Sequence, residues 1–390
     1  MNQIEQLIAQ RCPNGVFYRA LNDVLQYEQP TKYLVKSADY SDDAPTPVLT
    51  AGQTFVLGHT FEETGVYKAS RERPVIIFDD FTTSFKWVDF PFKAKSSAMK
   101  LITARDGSAL QLRYLFYLMQ TIRYVPHEHA RQWIGFYSKF RVPIPPIEVQ
   151  QAIVDILDKF TKLEAELEAE LEARKQQYGY FAALLMEPQG AEKSAKLGDL
   201  ASIVRGASPR PIRSFLTDDE SGIPWIKIGD VPSDGKFVTG AVQRITQSGA
   251  QRSRFVHPGD FILSNSMSFG RPYISRITGC IHDGWLVISD FEENFRPDYL
   301  YYLLRSMPVQ KEFNRRAGSG TVKNLNADIV KSVSVHVPPI KEQDRVVKLL
   351  DQFDSLVNDL SFGLPAEIAA RRKQYEYYRD ELLTFKELVA

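Results

Sequence analysis

Apolar residues recur along residues 147–186 at steps of three and four: Ile153, Leu157, Phe160, Leu163, Leu167 and Leu171, then Tyr178, Phe181 and Leu185, with Arg174 in the remaining seam position. A mean step of about 3.5 is the period of a coiled-coil seam. It predicts one helix from Ile147 to Met186, roughly 60 Å long at 1.5 Å per residue. Pro146, which has no N–H to leave unsatisfied, suits its first turn. The pattern returns near the end through Val346, Leu350, Phe353, Val357 and Leu360, and predicts a second long helix over 340–390. Gly363 and Pro365 predict a break near 362–366, with Glu367 opening a second piece.

The two helices share letters as well as period. Pro145-Pro146-Ile147 answers Pro338-Pro339-Ile340 at an offset of 193 residues, and Arg174 answers Arg371 at 197, so the later copy holds four extra residues. Four residues are about one helical turn, and they fall at the expected break. Period alone does not require matched polar letters. Gln150/Gln343, Asp158/Asp351, Arg174/Arg371, Gln177/Gln374 and the tyrosines Tyr178/Tyr375 recur together, and we read them as candidates for docking one kind of partner twice.

Alternation of short apolar runs with turn residues predicts β-rich blocks ahead of each helix. In the first block these runs are 48–50, 54–57, 75–78 and 99–102; in the second, 225–228, 237–238, 260–263, 273–274 and 285–288. Both blocks start on an echo, Leu21-Asn22-Asp23-Val24 and Leu197-Gly198-Asp199-Leu200. Both later carry an aromatic helix, Tyr114–Leu118 and Tyr299–Leu303, whose helical spacing assigns the rings to core rather than to base stacking. The organisation is therefore α+β, with an internal repeat: a block over 1–146 opening on a short helix, a spacer helix over 147–186, a polar linker over 187–195, a block over 196–339 and a last helix over 340–390.

Composition narrows the class of partner only a little. The 48 Lys and Arg balance 48 Asp and Glu, so no global field favours nucleic acid or membrane. Five glutamates between Glu164 and Glu172 make the central helix acidic and leave the blocks mildly basic. Cys12 and Cys280 have no metal or disulfide spacing. With no basic, apolar leader and no run of 18 apolar residues, we expect a cytoplasmic protein without an export signal or membrane span.

No catalytic constellation holds up. Gly318-Ser319-Gly320-Thr321 lacks the spacing of a nucleotide-binding loop, and His127-Glu128-His129 lacks the i, i+4 spacing of a helical metal pair. No Asn-Pro-Pro-aromatic motif is present, and Pro297-Asp298 is not followed by Glu-x-Lys. What remains is polar loop chemistry suited to reading DNA: Arg reads guanine, Asn or Gln adenine, while Ser, Thr and Lys hold phosphates. In the second block the candidates are Arg205, Ser208, Arg210, Arg213, Lys227, Asn265, Ser266, Ser268, Arg271, Lys323 and Asn324. In the first they are Lys32, Tyr33, His59, Thr82, Thr83, Ser84, Lys86, Trp87, His127 and Arg131. Read without DNA, the same pattern fits a coiled-coil interaction scaffold with two protein-binding domains.

Taken together and in order, these letters resemble the specificity subunit of type I restriction-modification systems over essentially the whole chain. The carriers are the paired Pro-Pro-Ile-x-x-Gln helices, Arg371 to Arg379, Leu197-Gly198-Asp199, Ile223-Pro224-Trp225-Ile226, Pro258-Gly259-Asp260 and Gly318-Ser319-Gly320. The first block is the weaker match, since it lacks the Pro-Gly-Asp turn and has Asn22 against Gly198. The resemblance implies two target-recognition domains, each reading half of a gapped double-stranded DNA target. It also implies spacer helices packed as an antiparallel coiled coil about a pseudo-two-fold axis. Two adenine-methylating subunits would dock on this non-catalytic chain, and two restriction subunits can join them. S-adenosylmethionine, ATP and Mg²⁺ would belong to those partners, with no cofactor or metal in this chain.

Overall fold

A computed structural model describes residues 3–52, 54–105, 110–126, 130–186, 194–231, 235–265, 269–317, 324–358 and 363–388. They form two compact units, Met1–Leu167 with Ile368–Ala390, and Glu168–Glu367. The division falls inside the first spacer helix, Ile147–Leu185.

In the first unit the strands are β1 (Phe17–Ala20), β2 (Leu25–Glu28), β3 (Thr46–Leu49), β4 (Val56–Thr60), β5 (Val75–Asp79), β6 (Phe85–Val88), β7 (Lys93–Ala94), β8 (Met99–Ala104) and β9 (Arg141–Ile144). They make an antiparallel sheet of order β2-β8-β5-β6, a smaller sheet of order β4-β3-β7 and the ribbon β1-β9. Within the smaller sheet β3 runs antiparallel to β4 and parallel to β7.

The second unit repeats this plan. Its strands are β10 (Ser194–Lys196), β11 (Ser202–Arg205), β12 (Leu216–Thr217), β13 (Ile223–Ile226), β14 (Phe237–Val238), β15 (Gln243–Ile245), β16 (Arg254–Val256), β17 (Phe261–Ser264), β18 (Pro272–Ser275), β19 (Gly279–Ile281), β20 (Trp285–Ser289) and β21 (Ser334–His336). The order β11-β20-β17-β18 matches β2-β8-β5-β6, and β15-β13-β19 matches β4-β3-β7 with the same antiparallel and parallel pairings. The ribbon β10-β21 matches β1-β9, while β12, β14 and β16 are additions at sheet edges. Two blocks with widely different letters thus share one topology, as the repeat predicts.

The central strands are buried on both faces, which is why they read as unbroken apolar runs instead of alternating ones. Alternate residues face two different cores. Ile76 and Phe78 join Tyr114, Tyr117, Trp133 and Tyr137 beneath the helices, while Val75 and Ile77 face the smaller sheet with Leu49, Phe92 and Leu101. In the second unit Phe261 and Leu263 meet Tyr299, Leu300 and Phe313, and Ile262 turns the other way to Ile226, Tyr273 and Trp285. The aromatic helices Leu112–Thr121 and Pro297–Arg305 supply core, as their spacing predicts.

The spacer helix runs without interruption over 39 residues. Its seam changes partner along its length. Val149, Ile153 and Leu157 are buried in the first head's core. Phe160 then lies against Tyr375 and stacks on Tyr378, while Glu164 pairs with Arg372. Rising numbers on one helix meet falling numbers on the other, so the two pack antiparallel within that unit. In the second unit Phe181 stacks on Phe353 at 5.7 Å.

The C-terminal region is two helices, Ile340–Asn358 and Leu364–Leu382. Of the expected break at 362–366 the structure makes Leu364 onward helical, so the second piece opens there and not at Glu367. Pro365 lies in its first turn, where its missing N–H is harmless, so it starts the helix instead of breaking it. Residues 359–362 fall outside the described set. The chain beyond the helix adds to the β1-β9 ribbon: Val16 donates its N–H to the carbonyl of Lys386 at 2.9 Å, and Leu388 donates to that of Val16 at 2.8 Å. Nothing in the periodicity of those residues signals the pairing.

Candidate nucleic-acid interface

The polar candidates of the second head converge around one turn. Gly206 lets the Arg205–Arg213 segment pass close to the turn between β19 and β20, since a Cβ there would lie 2.1 Å from the His282 carbonyl oxygen. The segment is then tied down by Asp283. Ser208 Oγ donates to Asp283 Oδ1 at 2.7 Å, and Arg205 Nε donates to the Asp283 carbonyl at 3.0 Å. Arg210 Nη2 stands 3.6 Å from Asp283 Oδ2. The hydroxyl of Ser208 holds the Asp283 carboxyl below the usual carboxylate range, whereas burial lowers the affinity of the neighbouring His282 for a proton.

Ser208, Arg210, His282 and Asp283 line a cleft of about 590 Å³ together with Arg213, Lys227, Trp225 and Gln243. Four of the residues singled out from sequence, Ser208, Arg210, Arg213 and Lys227, are therefore brought to one concavity. Sequence reading missed His282, Asp283, Trp225 and Gln243. The signal available was the tight turn after an apolar strand, His282-Asp283-Gly284, a common setting for functional side chains.

Other candidates have different surroundings. Arg271 lies over the ring of Tyr273, its Cζ 5.5 Å from the centroid. Asn324 is exposed. Asn265 is only 4% exposed, and its Nδ2 donates to the Asp283 carbonyl at 2.9 Å. Asn265 thereby braces the turn that carries Asp283. Ser266, Ser268 and Lys323 lie outside the described residues, as does His127.

In the first head, Thr82, Thr83 and Ser84 form the turn between β5 and β6, the same hairpin that carries Asn265 to Arg271 between β17 and β18. Asp79 fixes it by accepting the N–H groups of Phe81 and Thr82 at 2.9 and 2.8 Å, and Thr83 takes a positive φ of 58°. Lys32 and Tyr33 sit in the connection after β2, equivalent to the connection after β11 that carries Ser208 to Arg213; both side chains meet Glu28. His59 is on β4 and Arg131 is exposed just before the short helical turn Gln132–Gly135. Lys86 and Trp87 belong to a strand, β6, and not to a loop. The Trp87 ring is half-buried, under the Arg113 guanidinium at 4.7 Å and beside Phe116.

The repeated polar letters on the helices divide into two kinds. Gln150 and Gln343 are 0% exposed. Gln150 accepts the N–H of Gln111 at 3.0 Å and donates to the Pro145 carbonyl at 2.8 Å. Asp158 accepts from Arg113 Nε at 2.8 Å and from the Tyr117 hydroxyl, and Asp351 accepts from the Tyr302 hydroxyl at 2.6 Å. All four letters fasten the same aromatic helix to the same spacer twice; the two glutamines are fully buried and offer no docking surface, whereas Asp351 is exposed and the Asp158 side chain is 45% exposed. Tyr178 and Tyr375 are half-buried, the latter donating to Gln120 at 2.6 Å. By contrast, Arg174 donates to Gln177 and Arg371 to Gln374, each at 3.1 Å, so the two copies present the same bonded pair near the surface.

Among the described residues no group of three or more His, Cys, Asp and Glu could hold a metal ion, and no helix is long and apolar enough to cross a membrane.

Comparison with known proteins agrees with this architecture. The model of the type I restriction modification DNA specificity domain matches twice, over residues 13–173 and 191–370. The chain is 39% identical over 382 residues to the type I restriction enzyme EcoR124I/EcoR124II specificity subunit of Escherichia coli, covering 94% of this chain and 93% of that one. Two solved structures share the fold. One, from work on complex assembly and conformational transition of the type I R-M system, has a TM-score of 0.64 at 17% identity and covers 95% of this chain and 98% of its own. The other, a type I restriction-modification system S subunit from M. genitalium, has a TM-score of 0.53 at 13% identity, covering 94% and 96%. A chain with two heads of one topology, each leading into a copy of the same helix, and matched over both halves by the same domain model, belongs to the DNA specificity subunits of type I restriction-modification systems.

Proposed function

We propose that each head reads one half of a gapped, bipartite DNA target, and that the spacer helices set the gap and dock two adenine methyltransferase subunits. The observation that carries this reading is the pairing of one topology with two different polar sets. Equivalent connections hold Lys32 and Tyr33 in one head and Ser208 to Arg213 in the other. Shared scaffold serves a shared partner; divergent loops serve divergent half-sites. The surface pairs Arg174–Gln177 and Arg371–Gln374 are the best candidates for contacts made identically on two partner subunits. Restriction subunits can join that assembly, and S-adenosylmethionine, ATP and Mg²⁺ act in the partners, in the cytoplasm where the DNA is. A chain with no net charge has little of the electrostatic affinity for phosphates that DNA binding draws on, so partners must supply much of it.

The test is a genome-wide map of methylated adenines in cells carrying the chain with its partner, compared with cells lacking the chain. A bipartite motif that appears only with the chain is expected. Methylation independent of the chain, or at a continuous motif, would overturn the reading.

A further inference from the structure

The cleft of the second head contains one acid among cations. Arg210, Arg213 and Lys227 line it with Asp283. Cations along a groove neutralise phosphates, but a carboxylate at the same surface repels them. It is tolerated at a DNA interface only where it faces something other than phosphate, and the exocyclic amino groups of bases are the donors a carboxylate can take there.

Asp283 is built to hold a position. Its carbonyl is clamped by Arg205 Nε at 3.0 Å and Asn265 Nδ2 at 2.9 Å, and its Oδ1 by Ser208 Oγ at 2.7 Å. Oδ2 is met by Arg210 Nη2 at 3.6 Å, beyond hydrogen-bond distance, and the Arg210 side chain is 83% exposed. The clamps therefore use the backbone and one oxygen and leave the other with bonding capacity.

The topology shared by the two heads does not itself require an acid at this place, although in this head the carboxylate also fastens Ser208. Val48 lies opposite Lys93 as Trp225 lies opposite Cys280, so counting from the parallel pair β3-β7 against β13-β19 sets Ser96 of the first head where the second has Asp283. The corresponding turn of the first head, one residue longer, carries a short neutral residue there.

We propose that Arg210 and Asp283 together read one G·C base pair through the major groove, the guanidinium donating to guanine O6 and N7 and the carboxylate accepting from cytosine N4. This rests on the reading that the second head faces DNA. Guanine O6 and cytosine N4 are hydrogen-bonded to one another and so lie about 2.9 Å apart, close to the 3.6 Å between Arg210 Nη2 and Asp283 Oδ2. Arg213 and Lys227 are left to hold phosphates on either side.

The experiment maps adenine methylation in cells expressing the full complex with the unaltered chain, with Asp283→Ser or with Arg210→Gln. Each variant is expected to relax one and the same G·C position in one half-site, with a roughly ten- to hundredfold loss of discrimination there and the other half-site unchanged. Asp283→Ser installs the residue the first head already carries, and Arg210 is too exposed for its loss to unfold the head; should the former fail to assemble, the latter decides the matter alone. If both variants keep the unaltered motif, or relax an A·T position, the proposal is overturned while the bipartite reading stands. An unaltered chain that yields no bipartite motif overturns the reading beneath it.

Discussion

Gln343 accepts the backbone N–H of Arg296 at 2.8 Å and, through its amide nitrogen, donates to the carbonyl of Pro338 at 2.9 Å. Arg296 is the residue that precedes the aromatic helix Pro297–Arg305, and Gln150 makes the same pair of bonds to Gln111 and Pro145 in the first head. One buried amide thus joins the start of the aromatic helix to the start of the spacer helix, twice in the chain.

Removing that amide should cost stability. Gln343→Ala strands one donor, the Arg296 N–H, and two acceptors, the Pro338 and Asn294 carbonyls, each worth about 1–3 kcal/mol when left unpaired. Denaturant unfolding should show a loss of unfolding free energy of at least that order, read from a lowered midpoint at unchanged slope, and Gln150→Ala should act similarly on the first unit. A wild-type midpoint combined with weakened partner binding would instead return these glutamines to the docking surface.

The first head also buries an ion pair. Lys100 and Asp80 are both 0% exposed at 3.2 Å, and Asp80 Oδ1 accepts the Trp133 N–H at 2.8 Å. The contact between Lys100 Nζ and Asp80 Oδ2 is ionic, without the geometry of a hydrogen bond. Lys100→Met leaves an uncompensated carboxylate and should destabilise by about 3–5 kcal/mol. Adding Asp80→Asn should recover part of the loss, giving a large coupling in a double-mutant cycle.

Acid should weaken the first head through Glu62. The Lys93 ammonium paired with it at 2.8 Å and the N–H groups of Ser37 and Lys36 depress its pKa from 4.5 to about 2. A carboxyl with a lowered folded pKa binds more protons unfolded, so its contribution is fully present above about pH 4.5 and is lost as pH falls toward 2. Stability measured across that window should fall less steeply in Glu62→Gln.

The gap in the target should follow helix length. Four residues inserted between Leu163 and Glu172 lengthen the helix by about 6 Å, against 3.4 Å per base pair of DNA, so the methylated motif should gain roughly one to two base pairs of spacer. Both half-sites should stay the same. A changed base preference would show that the helix does not act as the ruler.

Local signals were enough for much of the architecture. The spacing of Ile153, Leu157 and Phe160 marks a helix wherever it packs, and the runs at 75–78 and 285–288 mark strands, because periodicity records which side of an element meets apolar surroundings. The copied Pro-Pro-Ile-x-x-Gln letters established two equivalent halves. Polar residues carry no such local record. Gln150 and Arg174 look alike as repeated letters, yet one is buried and the other lies near the surface, a difference set by Gln111, 39 positions away.

The same holds for the cleft. Ser208 was legible as loop chemistry, but Asp283, its partner 75 residues on, was not. The tail at 386–388 joins a strand beginning at Phe17 with no pattern of its own. Hydrophobic period fixed helices, strands and their duplication because burial acts on every residue of an element in turn. Pairing of single hydrogen-bonding groups depends on which distant segments the folded chain brings within 3 Å, and only the tertiary structure decided that.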